Sequence, residues 1–295
     1  TPLDLALDMT GPGSKEALLL SAHAGPIVAS IKGEMILPAQ RSSIDINASA
    51  PAMSPGNGIA WQGMTLAGHL GGKFSAPVGE CTLTAEALTA ANVSMSALEA
   101  KFTGTDHAAN RMGLHARITG LTLPGSAATL LATDPVMLDA TYAPLAADKP
   151  VTLTVSHPLL SLDAKARTAP DLSLHTVLDL PELKPFVALS GQVLSGHTHL
   201  TADIERAEKE NAPIVLSLDG NIAALKGLPQ AVGLIGADGK LHLNASLTPM
   251  VDSGKNVTGQ ALDLGLLELS GKALKLSASG KGFLPTAGKV PLTGL

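Results

Sequence analysis

The sequence predicts an all-β protein whose antiparallel strands have one apolar face and one polar face. Three observations lead to this prediction: hydrophobic and polar residues alternate over most of the chain, turn-forming residues recur at short intervals, and long helical patterns are missing. Successive side chains of a strand point to opposite sides of a sheet, so alternation with period two is typical of a half-buried strand.

The alternation defines a set of apolar residues that we expect to face one continuous interior. In one segment Asp45 separates Ile44 from Ile46, and such polar neighbours are expected to be exposed. Parallel strands, which are covered on both faces, would instead form continuous hydrophobic runs with helices between them. The predicted interior residues are Leu5, Leu7, Ile44, Ile46, Leu114, Leu153, Val155, Leu172, Leu174, Leu241, Leu243, Leu274 and Leu276.

Turn signals recur at short intervals, and with the repeated strand pattern they predict a single elongated repetitive β unit over residues 1–295. The sequence contains 30 glycines and 20 prolines, often clustered as in Gly56-Asn57-Gly58, and such clusters supply the backbone angles of tight turns. Two stretches have apolar residues at helical spacing instead, which predicts short helices near 182–189 and 228–235. A sub-boundary is expected near 181–191.

Composition excludes several classes of protein. Hydrophobic residues make up 45% of the chain, which is too many for a disordered protein. The net charge is −5 and only 2% of residues are aromatic, so a basic, base-stacking surface for nucleic acid is not expected. The sequence contains no run of 18 apolar residues, so it predicts no membrane-spanning helix. The chain starts with strand pattern directly after Thr1-Pro2, which is typical of an internal segment of a longer protein.

No motif predicts catalysis, and we expect neither an enzyme nor a cofactor. The Gly-Lys pairs lack the spacing and the following Ser or Thr of a phosphate-binding loop. His197 and His199 would share one face of a strand, with Asp203 as the nearest carboxylate on that face. A metal site would need a fourth ligand as well. We therefore expect solvated histidines on the polar face and no metal.

A sheet with one apolar face has to cover that face. Two sheets can pack as a sandwich, a sheet can close as a barrel, or a long sheet can curl over itself as an open gutter with a hydrophobic groove. Few aromatics and abundant alanine favour the gutter, because large side chains that would fill an interior are scarce. Such a groove suits acyl chains: burial contributes about 0.8 kcal/mol per methylene, or about 12 kcal/mol for sixteen carbons.

Three stretches resemble a known family. Residues 178–203 (LDLPELKPFVALSGQVLSGHTHLTAD) resemble the "DLPxLxPLxxLxGxxLxGxxxLxAx" segments of the TamB/AsmA-like family, the inner-membrane-anchored components of translocation and assembly modules in Gram-negative bacteria. Residues 264–280 (LGLLELSGKALKLSASG) are similar to the repeat "LxLDxLxLxGAxLxLSASG" of the same family. The opening residues 2–11 also fit this repeat style.

The resemblance implies a curled sheet with a hydrophobic interior, the β-taco, in a protein that bridges the inner and outer membranes across the periplasm. It implies phospholipid acyl chains as ligands, and roles in lipid transport and outer-membrane biogenesis. It also implies an Omp85-class (TamA-like) barrel as partner, contacted through parts of the full-length protein outside this segment. The alternative is a structural β array from a secreted adhesin or autotransporter passenger, although the clean alternation and uneven strand spacing favour the taco.

Overall fold

The computed structural model describes residues 3–105, 110–125, 128–209, 211–251 and 257–285. Strand accounts for 72% of the structure, as the alternation over most of the chain predicted. The chain divides into two compact units, Thr1–Pro158 and Leu159–Leu295. The prediction of one repetitive unit with a sub-boundary near 181–191 stays a prediction. That segment joins two paired strands of the second unit, so its helical residues form an insertion in a hairpin.

The first unit is a meander of ten strands, each paired antiparallel with the next strand along the chain. A short 3-10 helix at Leu37–Ala39 connects the third strand to the fourth. The strands are β1 (Leu3–Thr10), β2 (Glu16–Ala24), β3 (Ile27–Ile36), β4 (Arg41–Gly56), β5 (Ile59–Lys73), β6 (Ala76–Ala90), β7 (Val93–Thr105), β8 (Arg111–Thr119), β9 (Val136–Tyr142) and β10 (Pro150–His157).

The second unit continues with seven strands that pair in the same sequential, antiparallel way. They are β11 (Leu160–Arg167), β12 (Leu172–Leu180), β13 (Leu194–Arg206), β14 (Ile214–Gly227), β15 (Gly239–Val251), β16 (Val257–Ser270) and β17 (Lys275–Pro285).

Two short α-helices interrupt the second unit, at the two places where the sequence predicted them. Helix α1 (Lys184–Val187) runs into a 3-10 turn at Ala188–Ser190, and α2 (Pro229–Ile235) follows β14. Each α-helix has proline in its first turn, where the missing N–H costs nothing. Helices of this length are stable only when they pack on other elements. Within the described residues, no helix is long and apolar enough to cross a lipid bilayer.

The strand register gives the first unit one continuous apolar face. Residues directly opposite each other on neighbouring antiparallel strands project to the same side, so faces can be followed from strand to strand. Two rows, each crossing all ten strands, contain only apolar residues. One row is Leu7, Leu20, Ile31, Ile46, Gly68, Cys81, Phe102, Leu114, Ala140 and Leu153, and the other is Leu5, Ala22, Ala29, Ala48, Leu66, Leu83, Ala100, Ala116, Leu138 and Val155.

The second unit has an apolar face built in the same way. One row across its seven strands is Leu162, Leu178, Leu200, Gly220, Leu241, Leu269 and Leu276, and another is Ala166, Leu174, Ile204, Leu216, Ala245, Leu264 and Gly280. A bulge in β16 between Leu264 and Leu267 adds one residue and keeps leucine on this face on both sides of it. We call these two surfaces the apolar faces of the units.

Neither apolar face is packed like a protein core. Among the described residues, the buried hydrophobic side chains are mostly alanines, and no large side chain is fully buried. A packed interior would hide its Leu, Ile and Phe side chains almost completely. The apolar side chains are instead mostly half-buried, as when neighbours on one face shield each other without a second layer above them. Backbone pairing between strands is therefore the main organising interaction in each unit.

Glycines at several apolar-face positions of the first unit allow neighbouring strands to approach closely. At Gly68 in β5, an ideal Cβ would lie 2.5 Å from Cys81 Cα and closer still to the carbonyl oxygen of Glu80. No side chain fits there without movement of the backbone. Glycine inside a strand marks such close approaches, bulges and tight bends. The same crowding is found at Gly33, Gly79 and Gly104.

We predict that Gly68→Ala destabilises the protein by about 2 kcal/mol, because the added methyl group overlaps the backbone of β6. The matched control is Gly63→Ala in the same strand, where an added Cβ meets nothing within 4 Å. This control should be neutral or slightly stabilising, because glycine weakens a strand relative to alanine. Urea unfolding measures both changes, and equal midpoints for the two variants would contradict the described approach of β5 and β6.

Candidate functional site

The predicted interior residues all belong to the apolar faces, with one small exception. Six of the seven in the first unit occupy its two rows, and Ile44, two residues before Ile46 in β4, lies on the same face opposite Gly33. In the second unit the strand positions Leu172, Leu174, Leu241, Leu243 and Leu276 follow the apolar register. Leu274 lies in the turn just before β17. The period-two pattern thus located the faces correctly within each unit.

The burial of these residues differs from the enclosed interior that the sequence led us to expect. Eight are half-buried: Ile44, Ile46, Leu153, Val155, Leu174, Leu241, Leu243 and Leu274. The other five are exposed: Leu5 (65%), Leu7 (60%), Leu114 (40%), Leu172 (42%) and Leu276 (47%). The physical reason is the missing second layer, since a side chain on an uncovered sheet is shielded only by its neighbours on that face. In β1 the side chains are exposed on both faces.

The opposite, polar faces carry a repeated feature that the sequence analysis missed. Five histidines lie directly across from an aspartate on the neighbouring strand, and each hydrogen-bonds through Nδ1 to the carboxylate oxygen Oδ1. The pairs and their Nδ1–Oδ1 distances are His69–Asp45 (2.8 Å), His115–Asp139 (2.6 Å), His175–Asp203 (2.6 Å), His199–Asp179 (2.5 Å) and His242–Asp219 (2.7 Å).

The pairing partners depend on details of the turns that the sequence pattern does not contain. A hairpin closed with Gly56 opposite Ile59 would place Leu70 opposite Asp45, and a register shift between Met53 and Gly56 brings His69 there instead. Period-two analysis of single strands did not ask which residue faces each histidine. Hydrogen-bonded side-chain pairs across neighbouring strands contribute between about 0.2 and 1 kcal/mol, so these pairs help to fix the register.

The structure separates the residues that were considered for a metal site. Asp203 contacts His175 and His199 contacts Asp179, two separate pairs between β13 and β12. His197 is exposed and lies opposite Ala223. In the part of the chain that the structure describes, no three side chains from His, Cys, Asp and Glu are grouped closely enough to hold a metal ion.

The polar face of the second unit also contains an open cavity of about 350 Å³ between β13 and β16. Charged groups of both signs line it, among them Asp219, Lys240 and Glu268. His242, on one wall, donates its Nδ1 proton to Asp219, and His199 Nε2 lies 3.3 Å from the hydroxyl of Thr201. His242 and Asp219 thus contact each other across neighbouring strands, as side chains on a solvated sheet surface do.

Comparison of the chain with protein-family models, with curated proteins and with solved structures gave no match. The functional argument therefore depends on the two faces themselves.

We predict that the histidine–aspartate pairs contribute modestly to stability. A double-mutant cycle on His175→Gln and Asp203→Asn should give a coupling energy below about 1 kcal/mol, because both side chains are about half exposed. The coupling should fall in high salt, which screens exposed charges. His197→Gln is the control on the next strand, since it faces alanine and should change the free energy of unfolding very little. A salt-independent coupling above 2 kcal/mol would indicate a role beyond register.

Proposed function

We propose that this chain is a segment of a TamB/AsmA-like periplasmic bridge and that its apolar faces carry phospholipid acyl chains between the inner and outer membranes. The observation that carries the proposal is the apolar face of the first unit, which extends over ten strands without a second layer of large side chains. We also propose that the protein contributes to the assembly of outer-membrane proteins, a role that the resemblance implies. It requires no catalytic group and no cofactor.

An uncovered apolar face of this extent is unusual for a protein in water. Monomeric soluble proteins rarely expose contiguous apolar patches larger than a few hundred Å², and larger ones mark binding surfaces. An acyl chain is a suitable occupant because its burial needs no directional contacts and contributes about 0.8 kcal/mol for each methylene. Leucine, isoleucine, alanine and glycine dominate the two rows, so the surface offers a similar environment at every strand.

The crowded glycines favour the curled sheet that is part of the proposal. A sheet bends where a residue without a side chain lets adjacent backbones approach, and glycine kinks introduce curvature on purpose in curved sheets. Gly33, Gly68, Gly79 and Gly104 occupy apolar-face positions of β3 and β5–β7, so any bending there would make this face concave. A concave apolar face would shield an acyl chain on two sides.

The proposed setting is the periplasm, with the full-length protein anchored in the inner membrane. An Omp85-class barrel would be contacted by other parts of that protein, and this segment would supply length and an apolar path. The competing interpretation is a structural array from a secreted adhesin, in which the apolar faces serve only to stabilise the fold. The two interpretations differ in one measurable property, which is the binding of lipid.

We predict that Ile46→Asp abolishes lipid binding while the adjacent Asn47→Asp does not. Ile46 is half-buried on the apolar face, and Asn47 is exposed on the polar face of the same strand. The two variants introduce the same charge and differ only in the face that receives it. Native mass spectrometry of the purified chains, after incubation with a phospholipid bearing palmitoyl and oleoyl chains, measures the bound lipid.

Stability measurements on the same pair of variants separate a lipid surface from a packed core. On a face open to water the aspartate stays hydrated, and unfolding should remain cooperative with a loss of about 1–2 kcal/mol. In a dry core an unpaired charge would cost several kcal/mol and unfold the chain. If the unmodified chain binds no phospholipid and Ile46→Asp unfolds it, the lipid proposal is wrong and the structural array is favoured.

A further inference from the structure

One part of the apolar face of the second unit forms a partly open cavity, at the end where helix α2 packs. A cavity of about 310 Å³ lies there, which is at the lower end of the range for ligand pockets. Its walls are largely aliphatic. The side chains that form the walls include Leu200, Ile222, Ile235, Leu241, Leu269 and Leu274, contributed by four strands, the helix and the turn before β17.

Helix α2 forms one wall and is fixed in place by backbone contacts. The carbonyl oxygen of Ile235 accepts a hydrogen bond of 2.7 Å from the N–H of Lys272, and that of Leu234 accepts one of 2.8 Å from Ala273. Gly239 lies directly against Ile235, because an added Cβ there would lie 2.5 Å from Ile235 Cγ2. The cavity is therefore bounded by a held element and not by a loose segment.

A polar group is buried in this apolar wall. Thr198 is 9% exposed, and its hydroxyl oxygen has no hydrogen-bond partner among the described residues. Burying an unpaired hydroxyl costs free energy, and valine has nearly the same shape without that cost. A hydroxyl retained in an aliphatic cavity of ligand size indicates a ligand that brings a hydrogen-bond acceptor.

We propose that this cavity binds the carbonyl end of a fatty acyl chain, with the Thr198 hydroxyl donating to the carbonyl oxygen and the alkyl chain lying along the aliphatic wall. This inference rests on the proposed function and adds a fixed site to it. The carbonyl belongs either to a phospholipid ester or to a free fatty acid.

The test compares two lysophospholipids that differ in one group. The full chain is titrated, below the micelle concentration, with 1-palmitoyl lysophosphatidylcholine and with its 1-hexadecyl ether analogue, which lacks the carbonyl. The unmodified protein should bind the ester about 3- to 10-fold more tightly, as expected for one hydrogen bond. Thr198→Val should reduce this preference to about 1, and palmitate in a parallel titration tells a fatty acid site from an ester site.

Two further variants complete the design. Thr176→Val removes a hydroxyl from the same face outside the cavity, and it should leave the ester preference unchanged. Ile222→Trp fills the cavity and should weaken binding of both lysophospholipids at least 10-fold. If Thr198→Val raises the melting temperature and leaves the ester-to-ether ratio unchanged, Thr198 is only a tolerated buried hydroxyl and the inference is overturned.

Failure of the inference can be told from failure of the proposed function. If phospholipid binding depends on Ile46 but not on Thr198, the proposed function is supported and the cavity site is wrong. If the chain binds no lipid of any kind, both proposals are wrong. Equal affinity of the unmodified protein for ester and ether also removes the cavity site, whatever the total amount of lipid bound.

Discussion

The structure of each unit depends on strand register. A shift of one residue between two neighbouring strands would move every leucine of the shifted strand to the polar face. The observed pairings keep ten strands in phase in the first unit and seven in the second, with bulges where an extra residue has to be absorbed. Continuity of the apolar faces is thus a cumulative property of many independent turns, each of which has to close at the right residue.

The dependence on strand register also explains the contacts on the polar faces. Because no packed core penalises a wrong register, directional contacts between neighbouring strands have to favour the correct one. The five histidine–aspartate pairs supply such contacts, and so do threonine pairs such as Thr65–Thr84, whose hydroxyl oxygens are 2.6 Å apart. Each contact is weak, but a slipped strand would lose all of its contacts at once. Stability is then distributed along the chain, as in other repetitive proteins.

Much of the fold could be predicted from the sequence because period two is a local property. Alternation around Ile44 and Ile46 identified both a strand and its apolar side, and the helical spacing of Val232 and Ile235 identified α2. Pairing partners, burial and unit boundaries are not local. The exposure of Leu5 depends on the absence of a covering layer, and the pairing of His175 with Asp203 depends on how a distant turn closes.

The buried hydroxyl of Thr198 lay beyond sequence reasoning for the same reason. In the sequence it separates two histidines of an alternating strand, and its position resembles that of many threonines in this chain. Its hydroxyl is buried without a partner, and it lines the same cavity as Ile222 of β14 and Ile235 of α2. These residues lie far from Thr198 in the sequence, so no local pattern brings them together.

Under the proposed function, the aliphatic faces and the cavity beside α2 would have different roles. A uniform aliphatic face offers an acyl chain nearly equal burial at every strand, so the chain can move along it without a deep free-energy minimum. A cavity with the Thr198 hydroxyl in its wall would create a minimum at a single place and orient the ligand by its carbonyl. A path for lipid needs both: movement requires uniformity, and loading or release requires a defined position where the carbonyl end is held.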